Sequence, residues 1–492
     1  MMLSTLLPDL TNKSMPDIDI KGLSLDSRKA APGYAFIAIP GTKQHGIYYA
    51  KQAIDNGASV VLYDPSNIES FTELTGVVYI AIDCLSDQVG AIAARFYDFP
   101  SKKLSIIGIT GTNGKTTCSQ LLAQLLPDSG VIGTLGWGET YRLNTTENTT
   151  PDAISMQKIL RHFVGQNKKT VAMEVSSHGV EQGRINGIEF EGIIYTNITR
   201  DHLDYHGSME AYVQAKLKLL TAPGISFVVV NMDSPYAEEI VSTAPDKAKI
   251  FGFSRCHHSQ QNPEILTISQ VHYSLKGTEC KLHWKGHSFP LHTSMVGEFN
   301  LENILAVICT LLALGKNLSD IVELISNKAL AINGRMERLT DIHHSFQVFI
   351  DYAHTPDALE RTLKSLKPHC ENKLSVVFGC GGERDKGKRS LMGIIAAKWA
   401  DKVFITNDNP RNEQPEIIIN DILKECPQQK ATVIEDRKAA IHQVINAAND
   451  SDIVLIAGKG HENYQEIQGV KHPFNDREVA IEALKTKKVQ LC

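Results

Sequence analysis

The segment Thr110-Gly111-Thr112-Asn113-Gly114-Lys115-Thr116-Thr117 decides how the rest of this sequence is interpreted. The apolar run at 104–109 before it indicates a buried parallel strand, and residues 120–126 after it have apolar side chains at helical spacing. A strand, a glycine-rich turn and a helix form a phosphate-binding loop, because the turn's N–H groups and the helix N-terminus attract an anion. The sequence therefore predicts a nucleotide site in which Lys115 reaches the terminal phosphates and the Thr116 hydroxyl binds Mg²⁺.

One position departs from the common phosphate-loop pattern. That pattern places a glycine five residues before Gly114, where this sequence has Ile109. An ordinary glycine-containing turn between a strand and a helix is therefore the alternative interpretation. The flanking strand and helix, together with the Gly-Lys-Thr-Thr sequence, favour the nucleotide site.

The composition indicates an ordinary globular protein of several domains. The 492 residues are too many for a single core, and the chain is 42% hydrophobic and 21% charged. A net charge of −5 argues against general binding to nucleic acids or anionic membranes. The nine cysteines include no C-x-x-C pair, and no apolar run approaches the ~18 residues of a membrane span. We therefore expect a cytoplasmic protein with no nucleic-acid partner and no membrane insertion, because scattered cysteines are typical of a reducing compartment.

The order of strand and helix patterns predicts an α/β protein of three domains. Residues 1–100 form a small N-terminal α/β domain, and residues 101–333 form a central domain with the phosphate loop, a parallel sheet and a β-rich excursion at about 253–293. Residues 334–492 again alternate strand and helix, which predicts a C-terminal doubly wound, Rossmann-like domain.

Three later predicted strands of the central domain end in polar clusters. Glu174 follows one strand, His202 lies in the cluster 196–206 that follows the next, and residues 231–233 follow a third. Such strand ends meet at one crevice of a parallel sheet, so Glu174 and His202 could contact a Mg²⁺ ion held by Thr116. Taken alone, Glu174 could be a structural carboxylate and His202 a turn histidine. The acidic and histidine residues of this cluster also resemble zinc ligands, but no cysteine or further histidine cluster lies nearby, so magnesium is favoured.

Four predicted strands of the C-terminal domain also end in polar or charged stretches. These stretches are 351–357, 379–389, 407–411 and 458–462. Because the carboxyl ends of parallel strands share one edge, they predict a second ligand crevice. The glycines of 379–382 are too loosely spaced for a dinucleotide fingerprint, and the basic residues after them suit an anion better.

Taken together, these motifs resemble those of the Mur ligases of peptidoglycan synthesis. The resemblance covers nearly the whole chain, and its matching stretches are 110–117, 174–178, 197–206, 297–300, 334–337 and 351–357. The family's phosphate loop also lacks the outer glycine, so Ile109 supports the resemblance. The stretches 25–28, 146–150 and 408–411 narrow it to the members that add the third residue of the stem peptide.

The resemblance implies an ATP-dependent ligase with Mg²⁺ as cofactor and ATP as co-substrate. ATP phosphorylates the free D-glutamate carboxylate of UDP-MurNAc-L-Ala-D-Glu, and the amine of meso-diaminopimelate then attacks the acyl phosphate. Phosphate leaves from a tetrahedral intermediate, so positioning and charge stabilisation supply the catalysis. The resemblance also implies roles in cell-wall synthesis, cell shape and cell division, and we expect the chain to be a monomer.

The resemblance assigns residues to five roles. The catalytic residues would be Lys115, Lys216, His202 and Glu174, and the metal would be bound by Thr116, Glu174, Lys216 and His202. ATP would be bound by Gly111, Thr112, Asn113, Gly114, Lys115, Thr116, Thr117, Asn303, Arg335 and Asp351. The UDP-sugar dipeptide would be bound by Leu25, Ser27, Asn148, Thr149, Thr150, Ser176, Gln182 and Arg184. Diaminopimelate would be bound by Arg384, Asp408, Asn409, Pro410, Arg411, Gly458 and Glu462.

Lys216 and the turn at 42–44 affect the details of this assignment. Lys216 matches the family's carbamylated lysine, and a carbamate is an anion that can pair with Mg²⁺ where an ammonium would be repelled. Thr42-Lys43-Gln44 stands where the family often has His-Gln-Ala, so contacts from this turn to the uracil are not carried over.

The incoming amino acid can be argued from its charges. Diaminopimelate has a distal carboxylate that lysine lacks, and Arg411 offers a bidentate partner for it, supported by Arg384. Asp408 and Glu462 would take the distal ammonium. The pattern favours diaminopimelate, with a lysine-adding ligase or a folylpolyglutamate synthase-like ligase as alternatives. A non-catalytic nucleotide-binding switch is the alternative from another class.

Overall fold

The computed structural model describes residues 1–8, 16–41, 44–255, 264–328, 330–339 and 344–490. Three principal β-sheets follow one another along the chain, each with helices packed on it, which confirms the α/β class. Each sheet falls inside one of the three predicted domains, whose boundaries stay a prediction. Among the described residues, no helix is both long and apolar enough to cross a lipid bilayer.

The first sheet has four parallel strands. In spatial order they are Gly22–Ser24, Tyr34–Ala38, Val60–Tyr63 and Val78–Ala81. The α-helices of this part of the chain are Leu3–Leu6, Ala50–Asp55 and Leu85–Phe96.

The central sheet has eleven strands with the strand before the phosphate loop near its middle. In spatial order they are His287–Thr293, Gly277–Trp284, Ile265–Ser274, Lys249–Ser254, Phe227–Asn231, Gly192–Tyr195, Ser105–Thr110, Thr170–Glu174, Ser129–Gly133, Gly136–Glu139 and Arg142–Asn144. The seven strands from Ile265–Ser274 to Ser129–Gly133 are parallel to their neighbours, and both edges of the sheet continue as antiparallel strands. The β-rich excursion therefore extends the central sheet, although residues 256–263 lie outside the described part.

Helices cover both faces of the central sheet. They are Lys115–Leu125, Ala153–Gly165, Ser177–Glu181, Leu203–His206, Met209–Leu217, Ala237–Thr243, Glu298–Ala313 and Leu318–Ser326. Successive side chains of a strand point to opposite faces, and Ile107 packs in the cluster with Leu121 and Leu305 whereas Ile106 packs with Met156 and Leu160. The continuous apolar run at 104–109 reflects this burial on both faces.

The apolar repeat at 304–314 indicates a helix with Asn300 and Asn303 as caps at its start, but the helix begins earlier. It runs over Glu298–Ala313, and Gly297 is its N-cap residue with φ +97°. Asn300 and Asn303 therefore lie inside the helix, and the interpretation of these two residues as caps is wrong. The apolar repeat begins only at Ile304, so it does not predict the first turn of the helix, which is polar, buried and faces the nucleotide site.

The third sheet is doubly wound, as predicted. Its strands in spatial order are Glu337–Arg338, Gln347–Asp351, Ile453–Ala457, Leu374–Phe378, Lys402–Ile405 and Ala431–Val433, and all but the first are parallel to their neighbours. The helices Pro356–Leu366, Gly387–Trp399 and Pro415–Leu423 pack on one face, and Arg437–Asn446 and Asp476–Gln490 pack on the other. A separate hairpin, Tyr464–Ile467 with Val470–Pro473, was not predicted from the sequence.

A buried ion pair fixes the carboxyl edge of the third sheet. The Arg437 guanidinium donates to both carboxylate oxygens of Asp476 at 2.8 and 2.7 Å, and neither side chain is exposed. Arg437 also donates to the carbonyl oxygens of Ala457 at 2.8 Å and Asn407 at 3.4 Å. This side chain therefore joins the ends of two strands whose following loops carry predicted site residues.

We expect Arg437→Met to lower the stability of the full chain by about 3–5 kcal/mol, because it leaves the Asp476 carboxylate buried without a partner. The measurement is the thermal unfolding transition, followed by circular dichroism. Lys438→Met is the matched control, since Lys438 is exposed and pairs with an exposed glutamate. Equal shifts of the unfolding temperature in the two variants would contradict a structural role for Arg437.

Candidate active site

The phosphate loop has the backbone that an anion-binding turn requires. Gly111 and Gly114 have φ values of +146° and +87°, which non-glycine residues rarely adopt. A Cβ atom on Gly111 would overlap the Thr196 hydroxyl, and one on Gly114 would overlap the Asn303 side-chain oxygen. Lys115 begins the helix after the loop, and its ammonium donates to the carbonyl oxygen of Gly111 at 2.7 Å.

The end of the neighbouring strand holds this loop in place. The backbone N–H groups of Thr112 and Asn113 donate to Asn197, at 2.8 Å to its carbonyl and 3.0 Å to its side-chain oxygen. The Thr196 hydroxyl donates to the Asn113 carbonyl at 2.6 Å. The polar residues after Gly192–Tyr195 therefore order the phosphate loop.

Glu174 is fully buried beside the loop and its carboxylate is satisfied by hydroxyl groups. It accepts hydrogen bonds from the hydroxyls of Thr116 at 3.0 Å, Thr134 at 2.9 Å and Ser119 at 3.3 Å. Arg335 donates to the Thr116 hydroxyl at 3.1 Å. A carboxylate oxygen and a hydroxyl at this spacing fit a hard cation such as Mg²⁺ that also takes phosphate oxygens.

The geometry gives no support to the zinc alternative. In the described residues, no three histidine, cysteine, aspartate or glutamate side chains are arranged to hold a metal ion. The His206 Nε2 atom is engaged by the Ser177 hydroxyl at 2.9 Å. The magnesium interpretation needs fewer protein ligands, because Mg²⁺ keeps waters and binds substrate phosphates.

His202 is a neutral histidine at the edge of the nucleotide site. Its Nε2 lies 3.4 Å from the Asp201 carboxylate, and its backbone has φ +54°. Burial lowers the pKa of His202 to about 3, although the Asp201 charge acts in the opposite direction. A neutral imidazole is the form that ligates metal ions.

Lys216 is a buried amine that faces the loop. It is 1% exposed, its Nζ donates to the Gly111 carbonyl at 3.0 Å, and it lies 4.6 Å from the centre of the Tyr212 ring. Burial lowers the pKa of Lys216 well below its usual value, and the charge of Lys115 adds to this effect. The uncharged form of this amine is therefore easier to form than it is for an exposed lysine.

Three segments that are far from the phosphate loop in sequence also line the nucleotide cavity, at Asn303, Arg335 and Asp351. Arg335 lies 4.2 Å from the centre of the Tyr352 ring, and Asp351 accepts from the backbone N–H groups of Met336 at 2.7 Å and Ala353 at 2.9 Å. The cavity has a volume of about 210 Å³, and the predicted ATP-site residues that line it are Thr112, Asn113, Gly114, Lys115, Thr116, Thr117, Asn303, Arg335 and Asp351. All the predicted ATP-site residues except Gly111 thus line one cavity.

A second cavity of about 1250 Å³ adjoins the first. The predicted substrate residues that line it are Asn148, Thr149, Ser176 and Arg184 on the central side and Arg384, Asp408, Asn409, Arg411, Gly458 and Glu462 on the C-terminal side. Seven residues line both cavities, namely Thr134, Thr149, Ser176, Asp201, His202, Tyr352 and His354. The two predicted crevices are therefore parts of one cleft.

Five predicted substrate residues do not line either cavity: Leu25, Ser27, Thr150, Gln182 and Pro410. The hydroxyls of Ser27 and Thr150 bond to Gln52 and to the Glu174 carbonyl, at 2.7 and 3.0 Å. The Gln182 side chain accepts from Arg184 at 3.0 Å and therefore positions a residue that does line the cleft. Their binding roles stay predictions, and Thr42 and Lys43 lie outside the described residues.

The C-terminal end of the cleft holds a buried lysine that sequence reasoning missed. Lys459 is completely buried, and its ammonium donates to Glu462 and Asn409, both at 2.9 Å, and to Asp408 at 3.4 Å. Two carboxylates therefore share one ammonium. The Gly-Lys-Gly-His-Glu stretch contained the signal, because it places a cation three residues before Glu462.

Arg411 is held by backbone and hairpin contacts. Its guanidinium donates to the Gly382 carbonyl at 2.7 Å and lies 3.4 Å from the Glu466 carboxylate. Its backbone N–H donates to the Glu466 carbonyl at 3.0 Å, and its φ is +53°. A non-glycine residue in this conformation stores strain that is typical of functional sites.

The comparisons with known proteins agree with this geometry. Three family models match: "Mur ligase family, catalytic domain" over 19–97, "Mur ligase middle domain" over 109–311 and "Mur ligase, glutamate ligase domain" over 334–460. The chain belongs to the Mur ligase family.

Within this family the chain is similar to ligases that use diaminopimelate. It is 42% identical over 490 residues to the UDP-N-acetylmuramoyl-L-alanyl-D-glutamate–2,6-diaminopimelate ligase of Xanthomonas oryzae, covering 98% of this chain and 97% of that protein. A solved structure of an enzyme of that name is 35% identical, with a TM-score of 0.68 over 99% of both chains. The MurF ligase of Thermotoga maritima in complex with ADP has the same fold, with 16% identity, a TM-score of 0.65 and 97% and 100% coverage.

We expect Gly114→Ala to weaken ATP binding at least about tenfold, because its Cβ would displace the Asn303 side chain and strain the loop. Isothermal titration calorimetry with ATP measures the effect. Gly315→Ala is the matched control, since Gly315 has φ +79° and open space around the Cβ position. Equal ATP affinity in wild type and Gly114→Ala would show that the loop does not bind the nucleotide.

Proposed function

We propose that this chain joins meso-diaminopimelate to UDP-MurNAc-L-Ala-D-Glu and converts ATP to ADP and phosphate in the same reaction. The observation that carries the proposal is the shared cleft, in which Lys115 and Glu174 lie at one end and Arg411 and Glu462 at the other. A nucleotide switch needs no such second site. The similarity to ligases of this name supports the choice of substrates.

The first step of the proposed reaction transfers phosphate to the substrate. A D-glutamate carboxylate oxygen forms a bond to the γ-phosphorus of ATP, the bond to the β-phosphate oxygen breaks, and ADP leaves. Lys115 and the loop N–H groups hold the phosphate oxygens in line. Thr116, Glu174 and His202 would hold Mg²⁺, which neutralises phosphate charge when bound.

The second step forms the amide bond. The neutral amine of diaminopimelate attacks the acyl carbon, the C–O bond to phosphate breaks with its electron pair, and the amine releases a proton. Arg411 and Arg384 would orient the carboxylates of diaminopimelate, and the Glu462 and Asp408 carboxylates, which share one lysine, would attract its distal ammonium. The proposal includes a cytoplasmic, monomeric protein.

The test is phosphate release by the full-length wild-type protein. We expect release with ATP and Mg²⁺ only when both the UDP-dipeptide and diaminopimelate are present, and little release when lysine replaces diaminopimelate or when EDTA removes the metal. Release that needs neither substrate would favour the switch, and equal use of lysine would favour the lysine-adding ligase.

Within the same assay, Arg411→Ala should raise the KM for diaminopimelate about 10- to 100-fold, because a charge-assisted pair contributes about 1.5–3 kcal/mol. Asn412→Ala is the control at the neighbouring exposed position. An unchanged KM in Arg411→Ala would show that this arginine does not bind the amino acid.

The proposal includes a carbamate on Lys216. The buried neutral amine would attack CO₂ and lose a proton, giving an anion that replaces an unfavourable buried ammonium beside Lys115. With ¹³C-labelled bicarbonate, we expect a carbamate signal in the ¹³C NMR spectrum that Lys216→Arg removes and Lys218→Arg, at an exposed position, retains. A spectrum without a Lys216-dependent signal would refute the modification.

A further inference from the structure

Lys388 is a buried cation in the cleft to which none of the preceding steps gives a role. It is the second residue of the helix Gly387–Trp399, it is 9% exposed, and it lines the larger cavity. In the described part of the chain its ammonium has no carboxylate within 4.0 Å and no hydrogen-bond acceptor. The nitrogen is not enclosed by protein atoms, so it borders the cavity.

The neighbouring basic residues do not share this arrangement. Lys386 is exposed and lies 3.5 Å from the Glu413 carboxylate, and the buried Arg389 pairs with Glu413 at 2.7 Å and Asp421 at 3.0 Å. The Lys388 nitrogen has no carboxylate partner in the described residues and is open to the substrate cleft, so it is available to an anionic ligand.

The surroundings of Lys388 locate that anion. Lys388 lines the larger cavity together with Asp201 and His354, and both of these residues also line the nucleotide cavity. Arg200 lies 3.7 Å from Asp385, which joins the loop before this helix to the central part of the chain. Lys388 therefore faces the boundary between the two cavities, where the phosphoryl group would pass to the substrate.

We propose that the Lys388 ammonium is a catalytic cation that binds the transferred phosphoryl group and the oxyanion of the tetrahedral intermediate. The inference rests on the proposed ligase reaction and adds a contact to it. Lys388 donates hydrogen bonds to these oxygens, while the carboxylate–phosphorus bond forms as ADP leaves and the acyl–oxygen bond breaks as phosphate leaves. A donor placed where charge develops stabilises the transition state more than the ground state.

The experiment compares the full-length wild type with Lys388→Met, Lys388→Arg and the control Lys386→Met. Hydroxylamine traps the acyl phosphate formed from ATP and UDP-dipeptide without amino acid, and steady-state assays give kcat and KM. We expect Lys388→Met to reduce both trapped product and kcat about 10²–10³-fold, with the KM values for ATP and diaminopimelate changed less than about threefold. Lys388→Arg should restore part of the rate, and Lys386→Met should behave as wild type.

The melting temperature separates this role from a structural one. Lys388→Met removes no ion pair or hydrogen bond of the described residues, so we expect it to melt at or above the temperature of the wild type. A lower melting temperature with a matching loss in Lys388→Arg would overturn the inference, since it would show a structural lysine. A raised KM for diaminopimelate with normal trapping would also overturn it, because Lys388 would then bind the amino acid.

The failure of the inference can be distinguished from the failure of the proposed function. If wild type forms no trapped acyl phosphate, the proposed function fails and this inference fails with it. If wild type forms it and Lys388→Met forms it at the same rate, only the role of Lys388 is refuted.

Discussion

The buried carboxylate of Glu174 is the constraint around which the central site is built. A carboxylate in a protein interior needs donors on its oxygens, because leaving it unpaired is costly. Thr116 and Ser119 supply donors from the helix after the phosphate loop, and Thr134 supplies them from the turn after the neighbouring strand. Gly133 leaves room for the carboxylate, since a Cβ atom there would overlap it. One charge thereby fixes the loop, the helix and the turn together.

Local sequence patterns predicted the strands and helices that hold the site. Which side chains contact one another in the site depends on long-range contacts. The apolar run at 104–109 and the polar strand ends at Glu174 and 196–206 were sufficient for a parallel sheet with a nucleotide crevice, because strand direction and burial follow from sequence period. The burial of Lys459 and Lys388 could not be read in the same way. Lys459 lies in a glycine-rich loop and Lys388 in the first turn of a helix that follows a basic loop, and in neither place does a regular period show which side chains are buried.

The contacts between the second and third sheets are also long-range, and local sequence patterns do not predict them. The Asn113 side chain in the phosphate loop donates to Asp357 at 3.0 Å, and Asp357 accepts from Arg361, which in turn donates to Glu302 at 2.8 Å. These residues come from three elements that are far apart in sequence. A polar network between side chains therefore helps to set the position of the phosphate loop relative to the third sheet, together with the packing of Val296 and Phe299 on the core of that sheet. The apolar periodicity of the sequence does not predict this network.

Both large sheets direct the carboxyl ends of their parallel strands toward one cleft, and this layout has an evolutionary consequence. On the proposed reaction, phosphoryl transfer depends on loops of the central sheet, whereas the choice of amine depends on loops of the third sheet and on the hairpin beside Arg411. Substitutions at 407–411 or 458–462 can alter the accepted amine without displacing any residue of the phosphate loop. Substrate range can therefore diverge between lineages while selection preserves the energy-coupling half of the enzyme.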